Sequence, residues 1–296
     1  MSGSAMMMHL VLERLSRRIS ARVPEAELVM SDPAQNAAFG EAGREDGILA
    51  FMVLYHAVQM TSVISPGDTV LDLACGPANQ LAQVARLNPQ SRFVGLDASS
   101  AMLHQARATL QRCRIDNTDL VQGDMTDLAG FHDRSVDCVV CTMSLHHLAD
   151  VAALNRAMRE ARRVLKAEGG AYIVDFGRLK RLATQRHFAL NWRHKQSATF
   201  TQEYFQSLRA AFSVDELTSA AAALGGGIER CVTPLAPFMI VFRSRPRRTW
   251  SADDQHTARR LYADLDADQR TKFRVLARWL RAARCNLPLA LEQTGV

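Results

Sequence analysis

Two adjacent histidines, His146 and His147, follow an apolar run, Val136–Thr142, and three aspartates, Asp72, Asp97 and Asp124, lie within or just after shorter apolar runs. An imidazole exchanges protons near neutral pH, so either histidine is a candidate general base. Adjacent residues on one turn cannot both face one ligand atom, which favours His147 for that role. The pair could instead orient its own loop by hydrogen bonding. Asp97 lies 21 residues after Gly76. That is about the interval at which an acidic residue meets ribose hydroxyls in a mononucleotide-binding βαβ unit, although an aspartate here could also cap a helix. Cys138 and Cys141 have the spacing of a metal pair, but residues three apart on a strand point to opposite faces, and no second pair follows. No metal is expected. Cys75, Cys113, Cys138, Cys141, Cys231 and Cys285 read as thiols of a reducing compartment.

The elements that must position these groups alternate. After the turn signal Ser65-Pro66-Gly67-Asp68, the pattern predicts strand Thr69–Ala74, helix Asn79–Leu87, strand Arg92–Leu96 and helix Ser99–Arg112 capped by Ser99. Strands Asp119–Gln122 and Val136–Thr142 follow, then helix Val151–Lys166 and strand Ala171–Phe176. This is the order of a doubly wound parallel sheet. Residues 178–224 interrupt it with helical, aromatic-bearing sequence. Ile228–Val232 and Phe238–Phe242 then read as an antiparallel hairpin. Ahead of the sheet, residues 5–20 and 44–63 read as helices, and 24–43 as a loop-rich connector with Pro24, Pro33, Gly40 and Gly43.

The chain has 296 residues, 48% hydrophobic and 22% charged, with a formal net charge of +6. Residues 243–296 hold 12 basic and 6 acidic side chains, so they carry the whole excess. A solvated helical tail explains that balance, and so does a docking arm for a phosphate-bearing or acidic partner. Aromatics amount to only 6%, which argues against a base-stacking nucleic-acid surface. No apolar run approaches the roughly 20 residues of a membrane helix. The segment Met6–Ile19 is amphipathic and carries arginines. It lacks a secretory signal's pattern and has a weak look of a transit peptide; a cytoplasmic location is expected.

The run Asp72-Leu73-Ala74-Cys75-Gly76-Pro77-Ala78 resembles motif I of the class I S-adenosylmethionine (SAM) dependent methyltransferases, acidic-x-Gly-x-Gly-x-Gly. Ala74 and Ala78 stand where that pattern has its first and third glycines. Asp97-Ala98, Gln122-Gly123-Asp124-Met125 and Leu145-His146-His147-Leu148 follow in the family's order. The last run is similar to the ubiquinone and menaquinone methylase branch and its small-molecule relatives. The resemblance spans residues 44–243. It implies a Rossmann-like seven-stranded, mostly parallel sheet with a C-terminal antiparallel hairpin, a helical N-terminal cap (1–63), a core (64–243) with the helical insert 178–224, and a helical C-terminal tail (244–296). It also implies SAM as cofactor, held by Asp72, Ala74, Cys75, Gly76, Asn79, Asp97, Ala98, Met102, Asp124, Met125, Cys141, Thr142 and His147.

In such an architecture the substrate lies over the strand ends, under the cap and the insert. Candidates for its contacts are Phe39, Arg44, Tyr55, His56, Trp192 and Tyr204, with Arg178, His187 and His194 nearby in sequence. His147, His146 and Tyr55 are the candidate catalytic groups. Methyl transfer is an in-line displacement in which alignment supplies much of the catalysis, so a base is required only for an acceptor that starts protonated. The expected activity is methylation of a small, biosynthetic molecule at O, N or C. The alternative is a peptide, protein or RNA acceptor docked through the basic tail. Against bases as acceptors, the fourth motif has no Asn/Asp-Pro-Pro-Tyr run.

Overall fold

The strand β1 (Thr69–Leu73) places Val70 on one face and Leu71 on the other, both wholly buried. A strand apolar on both faces needs cover on both, and that requirement organises the chain. The computed structural model describes residues 3–25 and 33–291. β1, β2 (Arg92–Asp97), β3 (Thr118–Gln122), β4 (Val136–Thr142) and β5 (Leu165–Asp175) run parallel; β7 (Ile240–Arg243) is antiparallel to β5 and to β6 (Glu229–Val232). The sheet order is β3-β2-β1-β4-β5-β7-β6. The chain reverses direction across the sheet between β1 and β4, the topological switch point at which such sheets bind ligands.

Two cores follow from the alternation. Val70, Cys138, Val140, Tyr172 and Val174 share one with α3 (Ala50–Thr61), α4 (Asn79–Leu87) and α5 (Ser100–Cys113). The tail helices α10 (Ala252–Asp264) and α11 (Ala267–Ala282) complete that layer. Leu71, Val139, Cys141 and Ile173 pack the other face against α6 (Val151–Val164) and α9 (Val214–Ala221). Cys138 and Cys141 therefore lie on opposite faces, as strand geometry requires. A third cluster, with Leu10, Phe176, Leu179 and Phe188, joins α1 (Gly3–Leu15), α7 (Leu182–Leu190) and α8 (Ala198–Ala210) above the strand ends.

Three expectations change. Residues 33–42 form a helix, α2 (Pro33–Ala42), where a connector was expected. Proline breaks a helix only in its interior; at the first helical position its missing N–H costs nothing. The helix after β4 stops at Val164, and β5 begins at once, with Leu165 opposite Val136 and Gly170 opposite Cys138. The four residues between are accommodated as an irregularity in the ladder. Gly170 is obligatory there, because a Cβ would meet the Val63 carbonyl oxygen at 2.1 Å. The tail is no free arm: α11 packs on α3, Arg247 pairs with Asp68 at 2.5 Å, and Arg248 pairs with Asp254.

Candidate active site

The loop after β1 alternates into the left-handed region at Ala74 (φ 59°), Gly76 (φ 54°) and Ala78 (φ 62°). These are the three glycine positions of the motif. This winding aims the Gly76 N–H at Asp97, whose Oδ2 accepts it at 2.8 Å, while Oδ1 accepts the Ser99 N–H at 2.8 Å. Asp97 so ties the ends of β1 and β2 together. Burial raises its pKa above the usual carboxylate value, against the two backbone donors that lower it. Each carboxylate oxygen keeps a second lone pair for a ligand.

Beside this loop lies a cavity of about 360 Å³ over the ends of β1, β2 and β4. Ala74, Cys75, Gly76, Asn79, Asp97, Ala98, Met102, Asp124, Met125, Thr142 and His147 all line it. Two expected cofactor residues do not. Cys141 is wholly buried in the core under α6, because its side chain takes the other face of β4 from that of Val140. Asp72 is buried behind the loop, outside the cavity wall, and burial with the neighbouring Asp97 charge lifts its pKa to about 8. Arg156 of α6, Met143 and Phe39 also border the cavity. Thr142 Oγ1 is buried at its wall without a partner in the protein, a polar atom suited to a ligand. With Asp97 and Asp124, these residues fit SAM: carboxylates for hydroxyl and amino donors, apolar Met102 and Met125 for a purine ring.

A second cavity of about 340 Å³ opens beyond Phe39, Leu49, Met52, Met143 and His147, which border both. Its walls are aromatic. Phe188 and Phe238 stack at 4.4 Å between centroids, and Trp279 of α11 lies nearly parallel to both. Of the residues proposed for substrate contact, Phe39, Trp192 and Tyr204 line this cavity. Tyr55, His56 and Arg44 do not. Tyr55 and His56 lie one helical turn past Phe51 and Met52, the α3 residues that do reach the chamber. Tyr55 donates its hydroxyl to the Cys285 carbonyl at 3.3 Å, and burial raises its pKa far above a useful range. His56 Nδ1 meets the Tyr172 hydroxyl at 2.7 Å, and burial holds its pKa down to about 3. Arg44 borders two other grooves and neither cavity. Arg178 pairs with Glu216 at 2.9 Å, His187 stacks on His9 at 4.2 Å, and His194 lines an outer groove.

The two histidines occupy a 3-10 turn, Leu145–His147, at the junction of the cavities. His146 Nδ1 lies 2.7 Å from Asp175 Oδ1, and its backbone N–H donates to Asp175 Oδ2 at 3.0 Å. Burial would lower its pKa, but the Asp175 charge and hydrogen bond outweigh it, and the net shift is upward. His147 Nδ1 lies 2.5 Å from Glu25 Oε2. Burial works to raise the Glu25 pKa, but the His147 contact lowers it overall. The imidazoles stand 4.3 Å apart. Arg22 locks their turn: its guanidinium donates to the carbonyls of His146, Leu148, Ala149 and Ala210 and stacks on Phe212 at 3.9 Å. Sequence reasoning missed Glu25, Arg22 and Asp175. The first two sit in a segment with no periodic signal; Asp175 had one, as the acid in the otherwise apolar strand Ala171–Phe176.

Comparison with known proteins fits this geometry. Residues 70–169 match the family described as a methyltransferase domain. The demethylmenaquinone methyltransferase of Thermotoga maritima is 32% identical over 118 residues, 40% of this chain and 47% of that protein. Over these residues the chain resembles the SAM-dependent methyltransferases. The 2-phytyl-1,4-naphtoquinone methyltransferase of Trichormus variabilis is 30% identical over 145 residues, 48% of this methyltransferase-fold chain and 56% of that relative. The chain thus spans about half the length of the curated relatives it matches. In fold, an O-methyltransferase family protein of Burkholderia thailandensis superposes with a TM-score of 0.55 at 16% identity, covering 83% of this chain and 70% of that one. The cofactor of the family is SAM, and no helix among the described residues is long and apolar enough to cross a membrane.

Proposed function

We propose that this chain transfers the methyl group of SAM to a small, largely apolar, ring-bearing acceptor held in the aromatic chamber. One observation carries the reading: His147 borders both cavities while its Nδ1 is held by Glu25. SAM, when bound, supplies an electrophilic methyl carbon. Asp97 and Asp124 would accept its hydroxyl and amino donors, and Thr142 Oγ1 would find the partner it lacks. Asp72, whose pKa is lifted to about 8 by burial and the Asp97 charge, would be drawn toward its ionised form by a cation above the loop.

The chain's own contribution is alignment and a proton acceptor. Phe188, Phe238 and Trp279 offer flat faces against which a ring can lie. Phe39, Met52 and Met143 form the neck between the cavities and exclude water. Glu25 and Asp175 each take the Nδ1 side of an imidazole, which leaves Nε2 as the nitrogen offered to the acceptor. A phenolic or carbon-acid acceptor would lose its proton there. The two quinone-named relatives support a ring acceptor. The tail supports it too, since α11 contributes Leu276 and Trp279 to the chamber wall, a role that a docking arm for RNA or protein would not need.

The test is incubation of the purified chain with methyl-labelled SAM and a panel of acceptors: apolar hydroquinones and phenols, short polar acids, and cell-extract RNA and protein. Label in the apolar ring compounds is expected. Label in the polymer fraction alone would overturn the acceptor assignment.

A further inference from the structure

Large apolar side chains exposed to solvent are concentrated at the N-terminal end of the described chain. On α1, Met8, Val11, Leu12 and Leu15 follow the i, i+3, i+4, i+7 spacing that puts them on one helix face, and Leu15 is 70% and Met8 55% exposed. Ile19 and Val23 continue the exposed apolar series in the strap that follows. The opposite face of α1 is engaged, with Leu10 and Glu13 buried. Glu13 turns inward to accept the backbone N–H groups of Lys180 and Arg181. The charges left outside are therefore all of one sign: Arg14, Arg17 and Arg18 are exposed. α1 packs on α7, whose outer face carries exposed Leu182, Arg186 and Leu190. Arg193, just beyond α7, is exposed as well, whereas Arg178 and Lys195 are neutralised by Glu216 and Asp268.

We propose that this face docks on an anionic lipid bilayer, with α1 lying in the interface plane. An exposed apolar stripe flanked by arginines, on a helix too short to span, is the arrangement of an interfacial helix. The positive charges meet the anionic headgroups, and the stripe enters the acyl boundary. A second copy of this chain fits less well, because a two-fold contact would set these arginines against themselves with no acid between them. The location also has a use, which rests on the acceptor reading above. Met6 of α1, Phe188 of α7 and the following Trp192 line the aromatic chamber, so an apolar acceptor dissolved in lipid would meet the chamber from its membrane side.

The test uses the full chain in cosedimentation with phosphatidylcholine vesicles containing roughly one-third phosphatidylglycerol, against phosphatidylcholine alone. Binding is expected to the anionic vesicles only and to weaken in ~0.5 M salt. Leu12→Glu with Leu15→Glu should abolish it. Arg14→Ala, Arg17→Ala and Arg18→Ala together should weaken it on the order of a hundred-fold, with melting temperature and SAM binding kept. Wild-type protein remaining in the supernatant would overturn the proposal. So would binding that the substitutions leave intact, or a dimer that Leu12→Glu/Leu15→Glu dissociates in place of vesicle binding. The readout is lipid association, so its failure is separable from failure of the methyltransferase reading.

Discussion

Alanine at two left-handed positions gives a quantitative handle on the motif I loop. An L-residue with a Cβ costs about 1–2 kcal/mol in that region, and glycine removes the cost. Glycine also adds freedom to the unfolded chain, about 0.4–1 kcal/mol, and deletes a methyl worth about 0.8 kcal/mol when fully buried. Ala78 is wholly buried at the start of α4, so all three contributions apply and nearly cancel. Ala74 is only half-buried, so less is lost. Ala74→Gly should therefore stabilise the fold by roughly 0.5 kcal/mol, while Ala78→Gly should be neutral or slightly destabilising. Urea unfolding with a common slope measures both. Ala74→Gly being the less stable of the two, or losing more than about 1 kcal/mol, would refute the backbone account of this loop.

Other outcomes follow from the buried groups. His56 is held neutral to about pH 3, whereas in the unfolded chain it takes a proton near 6.5. Its folded value is depressed, so stability falls as pH drops below ~6.5, by about 2 kcal/mol at pH 5, and urea unfolding of His56→Gln should lack this acid limb. His146 acts in the opposite sense. Its folded value is raised, so its contribution is present below ~6.5 and is lost as pH rises through the folded value. Glu25→Gln keeps the shape of the His147 contact without the charge; kcat should fall about tenfold or more with KM for SAM unchanged, and an unaltered kcat would remove Glu25 from the mechanism. Glu25, His146 and His147 hold three donor atoms within 4.8 Å of one another, but both Nδ1 atoms are engaged by carboxylates. Chelators and added divalent ions should leave turnover unchanged, and metal-dependent turnover would reassign the three as ligands.

The sheet was legible because its signals are local. Val136–Thr142 and Asn79–Leu87 carry their own periodicity and turn residues, and their observed bounds match the sequence reading. Ser99 announced itself as a cap, and its side chain accepts the Met102 N–H. The pairs Glu25–His147 and Asp175–His146 were not legible, because 122 and 29 residues separate the partners and no local pattern reports such contacts. Tyr55 and His56 show a second limit. Periodicity placed them on a helix, but the distance of each helical turn from the strand ends is set by how α3 packs on α4 and α11. Pro33 was misread for a similar reason: whether proline opens or stops a helix depends on the residues that follow it.

We propose that the cavity at the ends of β1, β2 and β4 holds SAM through Asp97. Calorimetric titration of SAM into wild type, Asp97→Ala and Thr142→Val measures this directly, with melting curves recorded in the absence of SAM to confirm folding. Loss of a charged acceptor should weaken affinity by about 10–100-fold in Asp97→Ala, with a smaller loss in Thr142→Val. Tight SAM binding that survives Asp97→Ala in a folded protein would contradict it.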